Sequence, residues 1–235
     1  MLVDTKHRSH TIEIMDDLEM TGDILIDALD QLATINKLLG GTQVTLDGLK
    51  KLLEGQSKEK TIRIIDLGCG SGDMLRKVAK YGIKNGYKFK LLGIDANQAT
   101  VDYANKLSAD FPEISYKKED VLSEDFKTHT YEIAMCTLFL HHFDDNVAMN
   151  VIQTLLKNAK IGVLVNDLHR HRLAYYLFKI VTLGIKNDMT KSDGLVSILR
   201  AFKRRDFERY SKEIAFKSTI TWHWAFRYQW IIKKL

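Results

Sequence analysis

The stretch Asp66-Leu67-Gly68-Cys69-Gly70-Ser71-Gly72 sets a carboxylate ahead of three alternating glycines. Glycine admits backbone angles and close ligand approach that a β-carbon obstructs, so such a turn suits a nucleotide-like ligand. No phosphate-binding lysine follows, which excludes a P-loop. The spacing is D-x-G-x-G-x-G, where the dinucleotide fingerprint is G-x-G-x-x-G. A second acid, Asp95, with Ala96 behind it, comes one βαβ unit later, where a carboxylate takes ribose hydroxyls. Asp120-Val121 supplies a third. His141, His142 and His169 are the candidate bases, because imidazole near its ordinary pKa accepts a proton at neutral pH. His141-His142 reads equally as a cap for the helix that Asp144-Asp145 begins. Asn166, Arg170 and Arg172 make a polar cluster that would anchor an acidic ligand group or pair with local carboxylates. No metal is expected: C-x-x-C and H-x-x-x-H spacings are missing, and His169-Arg170-His171 is too close-set to chelate.

These residues need elements to hold them. Ile62, Ile64, Ile65 and Leu67 have the length and branching of a buried strand, and a helical period resumes at Asp73. Further strands are predicted at 88–94, 114–121, 131–136 and 161–165. The second ends at Asp95, the third reaches Asp120, and the fourth runs into Cys136-Thr137. Helices are predicted at 99–109 and 148–156 between strands, then at 173–185, 194–202 and from 204. Two strands are predicted at 217–224 and 225–232. Parallel crossovers are right-handed, so the strands should form a doubly wound sheet with ligands at their carboxyl ends. Ahead of the first strand, Ile24, Leu25, Ala28, Leu29, Leu32, Ile35, Leu38 and Leu39 form one helical stripe. That helix should start at Thr21-Gly22-Asp23 and stop at Gly40-Gly41, before a second helix at 44–53. Residues 13–17 are too short and acidic for core and read as a lid. A deletion of residues 1–20 should therefore leave the core folded.

The acid and glycine turn, the acids at 95 and 120, and Met135-Cys136-Thr137 running into L-F-L-H-H-F resemble the class I S-adenosylmethionine-dependent methyltransferases. The resemblance is close over residues 61–167 and looser in the tail. It implies an α/β fold with a mostly parallel seven-stranded sheet. It also implies an N-terminal helical cap over residues 1–60, a transferase domain over 61–235, and S-adenosylmethionine as cofactor. In that family's terms Asp66, Gly68, Cys69, Gly70 and Gly72 hold the amino-acid end, Asp95 and Ala96 the ribose, and Asp120 and Val121 the adenine. Cys136 and Thr137 line the cofactor from the fourth strand. The strings N-D-L-H-R-x-R-L-A-Y and D-G-L-V-S-I-L-R-A-F look like bacterial enzymes that methylate quinones and polyketides. The implied reaction is methyl transfer to oxygen or carbon of a small aromatic or quinone-like acceptor.

Composition sets the outer limits. The chain has 235 residues, 45% hydrophobic and 28% charged, enough for one α/β domain with a modest accessory piece. Cys69 and Cys136 read as reduced core residues, and no leader or bilayer-spanning stretch stands out, so a cytoplasmic protein is expected. A net charge of +5, concentrated after residue 155, reads as a solvated basic face. Nucleic acid is an unexpected partner, because the N-P-P-Y or D-P-P-Y signature of base methylation is missing. The amphipathic 173–185 segment packs on the domain or rests on a membrane. A monomer or homodimer is expected. The competing functional classes are a cofactor-binding module without transfer and a nucleic-acid methyltransferase.

Overall fold

The computed structural model describes residues 3–234. In chain order the elements are α1 (Asp23–Leu38), α2 (Gly41–Leu53), β1 (Ile62–Leu67), α3 (Asp73–Asn85), β2 (Phe89–Asp95), α4 (Gln98–Leu107) and β3 (Ile114–Lys118). They continue as β4 (Tyr131–Thr137), α5 (Asp145–Asn158), β5 (Ala159–Leu168), α6 (Arg172–Val181), α7 (Asp188–Arg200), α8 (Arg204–Lys212), β6 (Lys217–His223) and β7 (Arg227–Lys233). The sheet order is β3-β2-β1-β4-β5-β7-β6, parallel through β5, with β7 antiparallel to both neighbours. This is the expected α/β architecture with seven strands and a helical N-terminus. No described helix is long and apolar enough to cross a membrane.

Successive strand residues face opposite layers, and the core divides on that alternation. Ile65, Ala134, Cys136, Val163 and Val165 pack toward α5 and α8, with Ile152, Leu155, Phe207 and Trp230. Ile64, Ile133, Met135 and Leu164 pack toward α2 and α3, with Leu49, Leu52, Leu75 and Val78. Burial on both faces is why β1 and β4 are near-continuous apolar runs.

Several boundaries differ from the sequence reading, among them the end of β3 at Lys118 and of α6 at Val181, and three have a clear local cause. Helix α2 begins at Gly41 rather than Val44, because Gly40 takes φ +76° and turns the chain directly from one helix into the next. Helix α7 begins at Asp188 rather than Gly194. The Asn187 side chain accepts a hydrogen bond from Thr190 N, so the polar stretch is a capped first turn and not a loop. Strand β5 continues past Val165 to Leu168, since Asn166 and Asp167 keep their ladder places opposite Gln229 and Tyr228.

The N-terminal segment is sewn into the fold. Ser9 N donates to Leu199 O, Arg8 Nε to Arg200 O, and Arg8 Nη1 to Asp145. The amides of Ile14 and Met15 donate to the two carboxylate oxygens of Asp193 at 2.8 and 2.9 Å. Asn97 Nδ2 donates to Leu18 O and Met20 O. Glu13 is only 5% exposed, so the acidic stretch read as a lid is a strap tied down at several points, with Glu13 turned inward and its neighbours at the surface.

Candidate active site

A cavity of about 550 Å³ lies at the carboxyl edge of the parallel strands, within the usual size range of small-molecule sites. Its floor is made by residues 66–71, 94–97, 119–122 and 137–139 after the first four strands. Its other walls come from the strap, α1, the end of β5, α7 and residues 225–227. Gly68, Gly70 and Gly72 all have positive φ, the left-handed region that favours glycine. A β-carbon at Gly68 would strike the Phe139 ring at 2.2 Å, and one at Gly72 would strike Tyr116 Oη at 2.0 Å. Of the three, only Gly70 would admit a β-carbon without a clash, in ordinary contact with Leu29 Cδ2 at 3.6 Å. Two of the three glycines therefore let the protein close on itself, and the middle one leaves room for a ligand.

Asp66 is buried and Asp73 and Asp95 are partly so. Among the described residues none of the three makes an ion pair, although the charges of Arg76 and Lys77 reach Asp73 and that of His142 reaches Asp95. Burial pushes the Asp66 carboxyl well above its usual range, and the charges of Asp73 and Asp95 push it further. Burial likewise raises Asp73 and Asp95. Asp66 Oδ1 has no hydrogen-bond partner among the described residues. Asp95 accepts from Gly70 N on one oxygen and Asn97 N on the other, both at 3.1 Å. A carboxylate has roughly four acceptor positions, so Asp95 keeps capacity for two hydroxyls. An acidic, partly unsatisfied wall fits a cationic ligand, and S-adenosylmethionine carries an ammonium and a sulfonium. Ala96, Asp120, Val121, Leu122 and Thr137 also line the cavity. Asp120 Oδ1 is held by Leu122 N at 2.9 Å.

The histidine pair forms the opposite wall. His141 Nδ1 sits 2.7 Å from Asp167 Oδ1, and His142 Nδ1 sits 2.7 Å from Asp16 Oδ1. The rings stack with centroids 4.5 Å apart. Burial alone would raise Asp167 and Asp16, but the imidazole beside each holds it below the usual range. Arg200 fastens the arrangement: Nε donates to His141 O, Nη1 to Asp16 Oδ2, and Nη2 to His142 O. Among the described residues Glu13 Oε1 is buried without a hydrogen-bond partner, 3.6 Å from the equally unpartnered His141 Nε2. Burial raises Glu13 to about 7. Glu13, His141 and His142 bring one ligand atom each within 4.8 Å of the others. That set can share a proton or accept a metal, a grouping that local spacing could not reveal because Glu13 is remote in the chain.

Other expected site residues fall elsewhere. Cys136 is fully buried in the apolar layer under α5, because alternation along β4 turns it away from the edge. Gly72 caps α3 behind Tyr116. Asn166 is buried between β5 and α2, donating to Gly41 O and Thr45 Oγ1. Arg170 points to the far side of the strap, donating to Thr5 O and Ala201 O and pairing with Asp206. Arg172 is exposed and donates to Val3 O. His169 does line the cavity, but its Nδ1 accepts from Trp222 Nε1, and burial lowers its pKa to about 4. It is a neutral ring whose proton sits on Nε2, a donor rather than a base. Asp16, Asn97, Asp167 and Arg227 were not singled out from sequence. Asn97 alone had a local signal, an Asx cap ahead of α4.

Residues 64–162 match the family model described as a methyltransferase domain. That match gives the chain a methyltransferase domain over residues 64–162, in keeping with the seven-stranded fold and the D-x-G-x-G-x-G turn. Among solved structures, the chain is similar to the plantazolicin methyltransferase BpumL in complex with SAH. That likeness has TM-score 0.67 and 14% identity, covering 88% of this chain and 89% of that one. It is also similar to magnesium protoporphyrin IX methyltransferase from Synechocystis PCC 6803 with bound SAM (TM-score 0.57, 12% identity, 86% and 84% covered). A third is the CurJ carbon methyltransferase (TM-score 0.61, 11% identity, 81% and 53% covered). No curated protein matches the sequence.

Proposed function

We propose that the enzyme methylates an oxygen or carbon of a small, planar aromatic or quinone-like acceptor, with His142 as the base. The observation that carries the reading is His142 Nδ1 locked on Asp16 at 2.7 Å, which leaves Nε2 as the nitrogen able to take a proton. Bound S-adenosylmethionine supplies an electrophilic methyl group on a sulfonium centre. Asp66 and the Gly70 turn hold the cationic end, Asp95 the ribose, and Asp120 with Val121 the adenine. Phe139, Phe143, Phe178 and Phe226 give the remaining cavity flat apolar walls, suited to an aromatic ring. His142 Nε2 takes the acceptor's proton, and the Asp16 carboxylate stabilises the imidazolium that forms. His141, fixed by Asp167, orients the neighbouring ring. Of the extension expected over residues 1–60, the described part from residue 3 closes the site over the transferase domain expected at 61–235, with α2 packed on the sheet. Water exclusion strengthens the charge interactions that align the reacting groups. The plantazolicin, magnesium protoporphyrin and carbon methyltransferases named above, whose folds this chain shares, support a small-molecule acceptor.

The test is transfer of labelled methyl from S-adenosylmethionine to a panel of phenols, hydroxyquinones and β-dicarbonyls. Label should enter an organic-soluble product. Tight binding of S-adenosylhomocysteine without transfer to any acceptor would make the chain a binding module. Label found in nucleic acid would replace the acceptor class altogether.

A further inference from the structure

Arg227 opens β7 and lines the cavity, yet it is only 2% exposed. Its Nε and Nη1 have no hydrogen-bond partner, and its guanidinium makes no ion pair among the described residues. The carboxylate whose charge reaches it, Asp167, is already engaged by His141 Nδ1, His141 N and Leu168 N. Beside it Asn36, another cavity residue, has a buried Oδ1 without a partner. Both crowd the same point: a β-carbon on Gly41 would lie 1.9 Å from Asn36 Oδ1 and 2.7 Å from Arg227 Cζ. Glycine at the start of α2 thus makes room for this pair.

A buried, uncompensated cation is strongly unfavourable, and an arginine kept only for packing would be paired or would reach water. A guanidinium fork matches a carboxylate, two parallel N–H···O bonds to two oxygens, better than any other common organic anion except phosphate. The cavity has room for a planar acid but no phosphate-binding glycine–lysine loop. Position narrows the source. Along the sheet the order runs β1, β4, β5, β7, so Arg227 lies three strands from the glycine turn. It follows Phe226, whose ring stands 6.2 Å from that of His169, and the charge of Asp167, the partner of His141, reaches it.

We propose that Arg227, assisted by Asn36, receives a carboxylate of the acceptor, so that the substrate is an aromatic or quinone-like acid. This rests on the methyltransferase reading of the cavity. The same chemistry could come from the amino-acid carboxylate of the cofactor, and the experiment separates the two.

Wild type, Arg227→Met and Arg227→Lys are titrated with S-adenosylhomocysteine and with 5′-methylthioadenosine, which lacks the carboxylate. Protein saturated with S-adenosylhomocysteine is then titrated with salicylate and 1-hydroxy-2-naphthoate, each against its amide. The expected result is that at least one acid binds wild type tenfold or more tighter than its amide. Arg227→Met should abolish that preference while S-adenosylhomocysteine affinity stays within about twofold. Ligand-free Arg227→Met should melt no lower than wild type, since it loses an unpaired buried charge; a merely structural arginine would lower it. If the Met variant does not fold, Arg227→Lys must weaken the acid at least tenfold with its amide unaffected. Equal binding of acids and amides overturns the proposal. A tenfold loss of S-adenosylhomocysteine without loss of methylthioadenosine also overturns it, by giving Arg227 to the cofactor. Failure of wild type to bind S-adenosylhomocysteine would instead overturn the methyltransferase reading.

Discussion

His142 and Glu13 make opposite demands on the same small volume, and each can be tested by one atom-scale change. Gln at position 142 keeps a polar side chain but cannot act as a base, so kcat should fall by about 10²–10⁴-fold. S-adenosylhomocysteine affinity, read by calorimetry, should not change; a variant with normal kcat would end the role. Asp95→Ala should do the reverse and weaken S-adenosylhomocysteine by about 1.5–3 kcal/mol through loss of a charged acceptor. Glu13 has its pKa raised by burial from 4.5 to about 7. The folded state therefore holds the proton more tightly than the unfolded chain. Its contribution to stability is intact below pH 4.5 and is lost as pH rises from there to about 7. Glu13→Gln, a permanent mimic of the protonated form, should be more stable than wild type at pH 8 by on the order of 2 kcal/mol, or about 4–8 °C in Tm. At pH 5 the two should melt together, and a lower Tm for the variant at pH 8 would refute the burial argument. Asp66, Asp95 and Asp120 could be singled out in the sequence because each stands at the carboxyl end of an apolar run, one residue before the end of β1, at the last residue of β2 and two residues past β3. Asp16 and Glu13 were not, because they reach the histidines across more than half the chain and carry no local spacing.

At the scale of elements, strap and α7 stand or fall together. Removal of residues 1–20 strips partners from Arg170, Arg200 and Asp193 at once, and each is buried or nearly so. Orphaned buried charges are costly, so the truncated protein should melt well below wild type, by about 10 °C or more, or fail to stay soluble. Circular dichroism of the soluble fraction decides it, and an unchanged Tm would restore the detachable lid that the acidic composition suggested. Strand β1, its glycine turn and the start of α3 were legible to within a residue or two, because apolar runs and glycines punctuate them. The end of α3 was not, since Tyr81 to Asn85 read as loop and are helix. The start of α7 and the end of β5 were not, because hydropathy takes polar residues for loop. Asn187 is a cap, and Asn166 and Asp167 are buried ladder residues with side-chain partners.

For the whole molecule, the surplus positive charge is less available than its count suggests. Arg8, Arg170 and Arg200 are tied to carboxylates or to backbone carbonyls inside the fold. The basic recess on the far side of the strap also holds Asp144, Asp145 and Asp206. Nucleic-acid binding should therefore be weak and lost between about 50 and 200 mM salt in filter-binding assays. The doubly wound, mostly parallel sheet was legible because βαβ handedness leaves few alternatives. Charge distribution was not, since arginines bonded inside the fold look the same in a sequence as arginines in water.

Asn97 joins two things that are otherwise far apart. Its backbone N–H donates to the Asp95 carboxylate, and its side-chain amide holds the carbonyls of Leu18 and Met20. Asp193 pins the strap's other end at Ile14 and Met15. On the proposed reading both ligands would sit under one cover with a clasp at each end, the cofactor-side clasp fastened to the residue assigned to ribose. The consequence is kinetic. Cofactor should bind first and leave last, and its arrival should slow amide exchange at residues 13–20 before any acceptor is added. Hydrogen–deuterium exchange with and without S-adenosylhomocysteine reads this directly. Unaltered exchange, or a random order in product inhibition, would show that the two ligands pass through separate doors.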